Sequence, residues 1–134
     1  MKPNISVVLP TFNRAELLQK QLNALSKQTL DTNLFEIIVV NDGSSDATFE
    51  ILNDWKAKHT NRVVLHLKNG GPAKARNAGV AAAKGEIIAF TDDDCVVAKD
   101  WLNVIHSAFQ KNSAIALQGR TTTDRAKRTP LTHQ

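Results

Sequence analysis

The feature that most constrains the fold of this chain is the alternation of short β-branched runs with helical patterns along nearly its whole length. The first run is ISVVL at residues 5–9, and leucines at helical spacing follow it at residues 17–25. Strands that alternate with helices in this way pair in parallel and are joined by right-handed crossovers, so helices cover both faces of the sheet. We therefore expect an α/β fold, a three-layer α/β/α sandwich around a mainly parallel sheet.

The same patterns predict the individual elements. Strands are expected at residues 5–9, 35–40, 62–67, 86–91 and 114–117. Helices are expected to begin at Asn13, at Asp46, at the Gly70–Pro72 turn and at Lys99. Asn13 would cap the first helix, with Glu16 at its third position, and Gly85 would end the third. The second helix is expected to turn four apolar side chains toward the core, namely Phe49, Ile51, Leu52 and Trp55.

Length and composition limit the remaining possibilities. The 134 residues, 42% of them hydrophobic, suit one globular domain at residues 1–120, followed by a basic polar tail at 121–134 that we expect to be flexible or to begin an acceptor region. A net charge of +4 with only 5% aromatic residues does not indicate a nucleic-acid partner. No apolar stretch is long enough for a membrane span, so we expect a cytoplasmic chain. The single cysteine, Cys95, excludes an internal disulfide.

Three consecutive carboxylates, Asp92, Asp93 and Asp94, follow the fourth predicted strand. Neighbouring carboxylates repel each other, so such a cluster is stable only in open water or around a cation. One interpretation is a solvated acidic turn before the fourth helix. The other is a site for a hard cation such as Mg²⁺ or Mn²⁺, because Asp92 and Asp94 would face the same side of an extended strand. Ligands bind at the carboxyl ends of parallel strands, and this position favours the cation site.

Polar residues also end the other predicted strands. NDGSSD at 41–46 is as typical of a turn with a helix cap as of a ligand contact through Asp42. In GGPAKARNAG at 70–79, Lys74 and Arg76 lie near a helix start, where basic side chains gain nothing from the helix dipole. They would suit an anionic ligand, although two solvated charges explain them about as well. The segment lacks the glycine spacing of a Walker loop or a dinucleotide site.

Five motifs occur together and in order along the chain. They are PTFNR at residues 10–14, VVNDGSSD at 39–46, GGPAKARNAG at 70–79, KGEIIAFTDDD at 84–94 and DWL at 100–102. In this order and spacing they resemble the family 2 glycosyltransferases with the GT-A fold, from about Ile5 to Gly119. The resemblance implies a Rossmann-like sheet that binds a nucleoside-diphosphate sugar.

The resemblance implies a nucleotide site at the ends of the first strands. The residues of PTFNR would line the nucleobase pocket or lie beside it, namely Pro10, Thr11, Phe12, Asn13 and Arg14. Asp42 would hydrogen-bond the base. Arg76 and Asn77 would contact the nucleotide, and Lys74 is expected to bind it as well.

The three aspartates match the DXD motif of the family. Asp92 and Asp93 would lie near the ribose and diphosphate, and Asp94, with Asp92, would hold Mn²⁺ or Mg²⁺. Asp92 and Asp94 are therefore the residues expected to carry catalysis. The implied reaction is the metal-assisted, inverting transfer of a hexosyl group, expected from a UDP-sugar, to a hydroxyl of a glycan or lipid-linked acceptor, as in the synthesis of cell envelope polysaccharides.

Members of the family normally continue well beyond the DXD strand and there supply the acceptor site and the catalytic base, whereas this sequence ends at Gln134. We therefore expect the donor-binding half of a longer enzyme, which would work at the inner face of the membrane. Surface that the other half would cover could also drive self-association.

Two other functions fit parts of the sequence. DDDCV also satisfies DxDx[TV], the pattern of haloacid dehalogenase phosphatases, in which Asp92 would be a nucleophile and Asp94 an acid and base. That motif belongs on a first strand, and the further lysine and acidic pair that it needs are missing. The second alternative is a fragment that binds nucleoside diphosphates without turnover.

Overall fold

The computed structural model describes residues 2–112, 120–122 and 128–130. They fall into two compact units, Met1–Asn103 and Val104–Gln134. The strands are β1 (Ile5–Thr11), β2 (Phe35–Asn41), β3 (Arg62–His66), β4 (Ile87–Phe90), β5 (Arg120–Thr122) and β6 (Arg128–Pro130). The helices are α1 (Ala15–Ser26), α2 (Thr48–Lys56), α3 (Pro72–Ala82) and α4 (Trp101–Asn112), with a 3₁₀ turn at Thr32–Leu34. The predicted strand at 114–117 lies outside the described residues.

The first unit is built on a four-stranded sheet in the order β3-β2-β1-β4. Ile5 of β1 is level with Phe35 of β2 and with Ile87 of β4, and Ile37 of β2 is level with Arg62 of β3. Every neighbouring pair in this sheet is parallel, and a helix lies in each connection between successive strands. The predicted α/β fold with a parallel sheet is confirmed.

Strand β1 runs two residues past its predicted end and includes Pro10. Proline has no N–H, so a strand accepts it only where no partner needs that donor. The Thr91 N–H donates to the Val8 carbonyl, so the backbone groups of Val8 face β4. Those of Pro10, two residues later, face the same side, where the pairing with β4 has already ended at Phe90. The missing N–H of Pro10 therefore leaves no strand hydrogen bond unmade. Strand β1 can continue to Thr11, which lies at the carboxyl edge of the sheet.

Helices cover both faces of this sheet. Ile38 and Val40 of β2 are fully buried in a cluster with Ala75 of α3. Val7 and Val39 alternate to the opposite face and are also fully buried. On that side α2 packs against β2 and β3, and α1 contacts α2. These two helices contribute the buried leucines of the second layer, namely Leu18, Leu22, Leu25 and Leu52.

Two predictions about helix α1 and helix α2 were wrong. Helix α1 begins at Ala15, and Asn13 does not cap it, because its backbone is in the left-handed region with φ 52°. In helix α2, Leu52 and Trp55 are buried as expected, but Phe49 is 47% exposed. Its ring lies against His66 with the ring centroids 4.4 Å apart. Phe49 therefore packs against the last residue of β3 and does not enter the core as predicted. Ile51, also expected in the core, is only half-buried.

The predicted end of the third helix was also wrong. Helix α3 ends at Ala82, and Gly85 lies beyond it in the connection to β4. A Cβ at Gly85 would lie 2.9 Å from the carbonyl oxygen of Asn4 and from the Ile5 carbonyl carbon. The glycine is therefore required by close backbone approach to β1 and not by helix termination.

In the second unit, β5 and β6 pair antiparallel, with Thr121 opposite Thr129. The sequence predicted a polar tail here because it offers no apolar period from which strands could be predicted. The domain boundary predicted at residue 120 stays a prediction. Within the described residues, no helix combines the length and the apolar character that crossing a membrane requires.

Candidate functional site

A cleft of about 400 Å³ opens at the carboxyl edge of the sheet, where β1, β2 and β4 end beside the start of α3. Its lining comes from four segments that lie far apart in sequence, namely Pro10, Thr11, Phe12, Arg14, Asp42, Asn69, Gly71, Pro72, Ala75, Arg76, Asp92, Asp93 and Asp94. Parallel strands bring their ends to one edge, so the fold itself gathers these residues.

Most of the predicted site residues line this cleft. The exceptions are Asn13, Lys74 and Asn77, which are not part of its lining. The prediction missed four residues, namely Asn69, Gly71, Pro72 and Ala75. Asn69 and the glycine turn lie at the end of the third predicted strand and could have been included on that ground, whereas a buried alanine in a helix gives no sequence signal.

The acidic turn (Asp92–Asp94) follows β4 after one residue, Thr91. The Cys95 N–H donates to the Asp92 carbonyl over 3.3 Å, so the chain turns here and does not stay extended as the prediction assumed. The turn divides the three carboxylates. Asp93 is only 5% exposed and accepts a hydrogen bond from Thr11 Oγ1 at 2.8 Å. Asp92 and Asp94 remain exposed at the cleft.

Two arginines form ion pairs with the carboxylates of the acidic turn. One terminal nitrogen of Arg14 lies 3.2 Å from Asp93 and 3.5 Å from Asp94. Arg76, on α3, lies 3.2 Å from Asp92. Each carboxylate thus has a cationic neighbour, which offsets the repulsion between them. Because both arginines and the outer two aspartates are substantially exposed, the pairs with Asp92 and Asp94 each contribute at most about 1 kcal/mol.

Asp42 lies at the end of β2 and is 4% exposed. Its two carboxylate oxygens accept hydrogen bonds from the backbone N–H groups of Gly70 at 2.9 Å and Gly71 at 3.0 Å. The Asn69 amide donates to the Asp42 carbonyl at 3.0 Å and to its carboxylate at 3.3 Å. Asp42 therefore fixes the glycine turn that starts α3. Gly71 has φ +96°, a conformation that suits glycine.

Asn13 connects two loops beside the cleft. Its N–H donates to Ser44 Oγ at 2.9 Å, and its side-chain oxygen accepts from the Ser45 N–H at 2.7 Å. Asp46 adds to this connection, because its carboxylate accepts from the N–H of Ala15 at 3.2 Å and of Thr48 at 3.0 Å. It therefore serves the starts of both α1 and α2.

The charge state of Asp46 follows from these contacts. The hydrogen bond from the Thr48 hydroxyl is the largest effect and lowers the pKa of the Asp46 carboxyl below its ordinary value. Burial opposes this, and the backbone N–H groups of Thr48 and Ala15 lower the pKa further. The carboxylate form, which accepts all of these bonds, is the form that the fold stabilises.

Ligand atoms of Asp92, Asp94 and Cys95 lie within 4.8 Å of one another. Burial raises the pKa of the Cys95 thiol, and the charge of Asp94 raises it further, so the sulfur stays protonated and is a poor ligand. The exposed oxygens of Asp92 and Asp94 are the donors that Mg²⁺ and Mn²⁺ prefer. This donor set fits the predicted divalent cation.

Comparison with known proteins agrees with this geometry. The sequence profile described as Glycosyl transferase family 2 matches residues 6–134. The chain belongs to this family, and the predicted resemblance is confirmed.

Named relatives are glycosyltransferases. The chain is 38% identical over 101 residues to Glycosyltransferase AglE of Haloferax volcanii, which covers 75% of this chain and 33% of that protein. The structure of S. aureus TarS 1–349 in complex with UDP-GlcNAc matches with a TM-score of 0.76 at 34% identity, over 84% of this chain and 32% of the other.

A mannosyltransferase from Pyrobaculum calidifontis, solved in complex with GDP-Man and Mn²⁺, matches with a TM-score of 0.76 at 26% identity, over 85% of this chain and 34% of the other. The match to these two enzymes confirms the GT-A fold. The chain spans about a third of the length of the proteins that it matches.

Proposed function

We propose that the cleft binds a nucleoside-diphosphate sugar and takes part in the transfer of its sugar to an acceptor hydroxyl. The observation that carries the proposal is the pairing of the acidic turn with Arg14 and Arg76 at the carboxyl edge of a parallel sheet. A diphosphate needs cationic partners and a divalent cation needs carboxylates, and this cleft offers both side by side.

The nucleoside is proposed to lie at the ends of β1 and β2. Phe12 lines the cleft and is 45% exposed, so its ring is available to a base without rearrangement of the core. Asp42 also lines the cleft, and its carboxylate keeps a lone pair beyond those used by Gly70, Gly71 and Asn69, so it can still accept from a base N–H. A UDP-sugar is the proposed donor, with a GDP-sugar as the alternative that a titration distinguishes.

The diphosphate is proposed to lie between Arg76 and the acidic turn. Arg76 projects from α3 toward Asp92, so its guanidinium can exchange a carboxylate for a phosphate oxygen without leaving the cleft. Asp94, with Asp92, would hold Mn²⁺ or Mg²⁺. When bound, that cation supplies Lewis-acid stabilisation of the negative charge on the departing diphosphate. Asp93, held by Thr11, keeps the turn in place.

The acceptor and the stereochemistry of the transfer are inferred from family membership alone. We propose an inverting transfer to a hydroxyl of a glycan or a lipid-linked acceptor. The carboxylate that deprotonates this hydroxyl is not assigned to any residue of the cleft.

Calorimetric titration of the chain with UDP, GDP and their sugars, with and without Mn²⁺, tests the proposal. Nucleotide is expected to bind more tightly with Mn²⁺ present, and Asp94→Asn is expected to remove that gain. Asp54→Asn is the matched control, because Asp54 is an exposed aspartate on α2 that forms an ion pair with Lys58 outside the cleft. The proposal is wrong if no nucleotide binds, or if binding is the same with and without metal.

Binding without turnover is the second candidate, because the chain covers about a third of its relatives. A donor-hydrolysis assay distinguishes it. Metal-dependent release of UDP from a UDP-sugar, abolished in Asp94→Asn, supports a catalytic site. Tight binding with no release above the Asp94→Asn background supports a binding function.

A further inference from the structure

A fully buried glutamine stands in the apolar stripe of α1. Gln21 is 0% exposed and shares the buried face of the helix with Leu18, Leu22 and Leu25. An amide in such a position is costly unless its hydrogen bonds are made, so its partners explain why it is there.

The partners of Gln21 lie on both sides of the acidic turn. Its Nε2 donates to Thr91 Oγ1 at 2.8 Å and to the Asp92 carbonyl at 3.1 Å. Its Oε1 accepts from the Val97 N–H at 3.2 Å. A backbone carbonyl can only accept and a backbone N–H can only donate, so these contacts fix the orientation of the amide.

The acidic turn has few other connections to the sheet. Among the described residues, Thr91 donates its N–H to Val8, and Asp93 is held through its side chain by Thr11 and Arg14. The backbone of Asp92 and the chain that leaves the turn at Val97 are held by Gln21. The amide therefore joins the entry and the exit of the turn to a rigid helix.

We propose that Gln21 is a positioning residue that sets the separation of the Asp92 and Asp94 carboxylates, and through it the coupling between metal and nucleotide binding. This inference rests on the proposed function of the cleft. Mutation of the partners that orient metal ligands typically costs about 10–100-fold in metal affinity. Gln21 reaches the carboxylates through the backbone and touches no ligand.

Gln28, just beyond the end of α1, provides a matched control. Its side chain donates to the Ala98 carbonyl at 2.7 Å and accepts from the Leu102 N–H at 2.9 Å. Gln28 thus anchors the chain further along, and none of these hydrogen bonds reaches the acidic turn. Replacement of either glutamine by methionine keeps the size of the side chain and removes its hydrogen bonds, so both variants lose stability.

The measurement is the ratio of UDP affinities with and without Mn²⁺, by calorimetry, in the wild type, Gln21→Met and Gln28→Met, with thermal unfolding of each. Gln21→Met is expected to reduce that ratio roughly tenfold or more, the scale seen for partners of metal ligands. Gln28→Met is expected to leave the ratio within about twofold while it lowers the melting temperature, because its bonds lie outside the turn.

The outcomes separate the two proposals. If wild-type chain binds no UDP or shows no effect of Mn²⁺, the proposed function fails. If the wild type shows the effect and folded Gln21→Met keeps it, the positioning role is overturned. If Gln21→Met does not fold, the same ratio is measured in Thr91→Val. This variant removes one hydrogen-bond partner of the Gln21 amide without altering α1. A reduced ratio in Thr91→Val supports the role, and an unchanged ratio contradicts it.

Discussion

The guanidinium of Arg14, in the loop after β1, lies 3.2 Å from the carboxylate of Asp93, in the turn after β4. The same nitrogen lies 3.5 Å from Asp94, and Arg76 approaches Asp92 from α3. In this arrangement the arginines form ion pairs with Asp92 and Asp94, the carboxylates that a divalent cation would use. Metal binding at Asp92 and Asp94 would therefore compete with arginine pairing, and a diphosphate would draw the arginines away from the carboxylates.

Removal of Arg14 is expected to affect metal and nucleotide in opposite directions. Without nucleotide, Arg14→Gln should bind Mn²⁺ about 1.4- to fivefold more tightly, because an exposed pair such as Arg14 with Asp94 contributes about 0.2–1 kcal/mol. With Mn²⁺ present, the same variant should bind UDP more weakly, because a phosphate loses a charged partner. Calorimetry with each ligand measures both effects.

Lys58→Gln is the control for this experiment. It removes a positive charge that pairs with Asp54 on α2, outside the cleft. It should leave both affinities unchanged. Equal changes in Arg14→Gln and Lys58→Gln would mean that only the net charge of the protein matters.

The contact between Asp42 and the glycine turn leads to a second prediction. An asparagine at position 42 would direct an N–H₂ group at one of two backbone N–H donors, those of Gly70 and Gly71. Asp42→Asn is therefore expected to reduce the free energy of unfolding by about 1–3 kcal/mol, the cost of an unsatisfied buried group. Urea denaturation checks the value.

Asp31→Asn is the comparison for Asp42→Asn. Asp31 also accepts a backbone N–H, that of Asn33, but in an exposed 3₁₀ turn. Its replacement should cost much less because water can satisfy the freed groups. A loss in Asp31→Asn as large as that in Asp42→Asn would contradict the role given to burial.

Much of the fold was predictable because the buried strands are short β-branched runs, which lie in the core whichever strands they pair with. The location of the cleft was predictable for a related reason, since polar residues follow each run and parallel strands end at one edge. Asp92 and Asp42 could thus be placed near one another from the sequence.

Contacts between individual side chains were not predictable in the same way. The sequence after Asn13 is typical of a helix with Asn13 as its cap. In the structure Asn13 instead forms hydrogen bonds with Ser44 and Ser45, which the fold brings next to it. In the sequence, Gln21 is a polar residue among the apolar positions of a helix, with no evident partner. Its partner is the Val97 N–H, and the sequence does not show that the chain returns to α1 at that point. Local patterns describe how a segment relates to its own helix or strand, and these contacts depend on the approach of a distant segment.

Asp46 gives the fold a contribution that depends on pH. Its carboxyl has a pKa below its ordinary value of 3.8 in the folded state, so the carboxylate stabilises the fold above that ordinary value. This contribution is lost as the pH falls through the lowered pKa of the folded state. The stability difference between the wild type and Asp46→Asn should therefore be largest near neutral pH and shrink below pH 3.8.

Urea denaturation of the wild type and Asp46→Asn between neutral pH and about pH 3 measures this difference. Asp54→Asn serves as the control, because the Asp54 carboxylate lies 3.3 Å from Lys58 on an exposed helix surface and accepts no N–H of a helix start. A difference for Asp46→Asn that does not change with pH would mean that the charge of its carboxylate has no part in holding the two loops.

The close contact between α3 and β1 leads to the last prediction, at Gly79. Alanine is favoured over glycine inside a helix by about 1 kcal/mol. Here its Cβ would lie 2.5 Å from Val8 Cγ1 and 3.3 Å from Val40 Cγ2. Val8 is fully buried in a central strand and cannot move aside. Overpacking typically costs about 1–3 kcal/mol, so Gly79→Ala should destabilise the protein by up to about 2 kcal/mol after the helix gain is subtracted.

Because Arg76 lies three residues before Gly79, about one turn of the same helix, a displaced α3 should also weaken the binding of UDP. Val80→Ala is the control, since Val80 is 41% exposed and its replacement should change stability little. The double variant Gly79→Ala, Val8→Ala should be more stable than the sum of the two single changes predicts, because the Cβ then occupies the space that the valine methyl groups left. Additive losses in that cycle would show that the two side chains do not compete for this space, and the requirement for glycine would then come from elsewhere in α3.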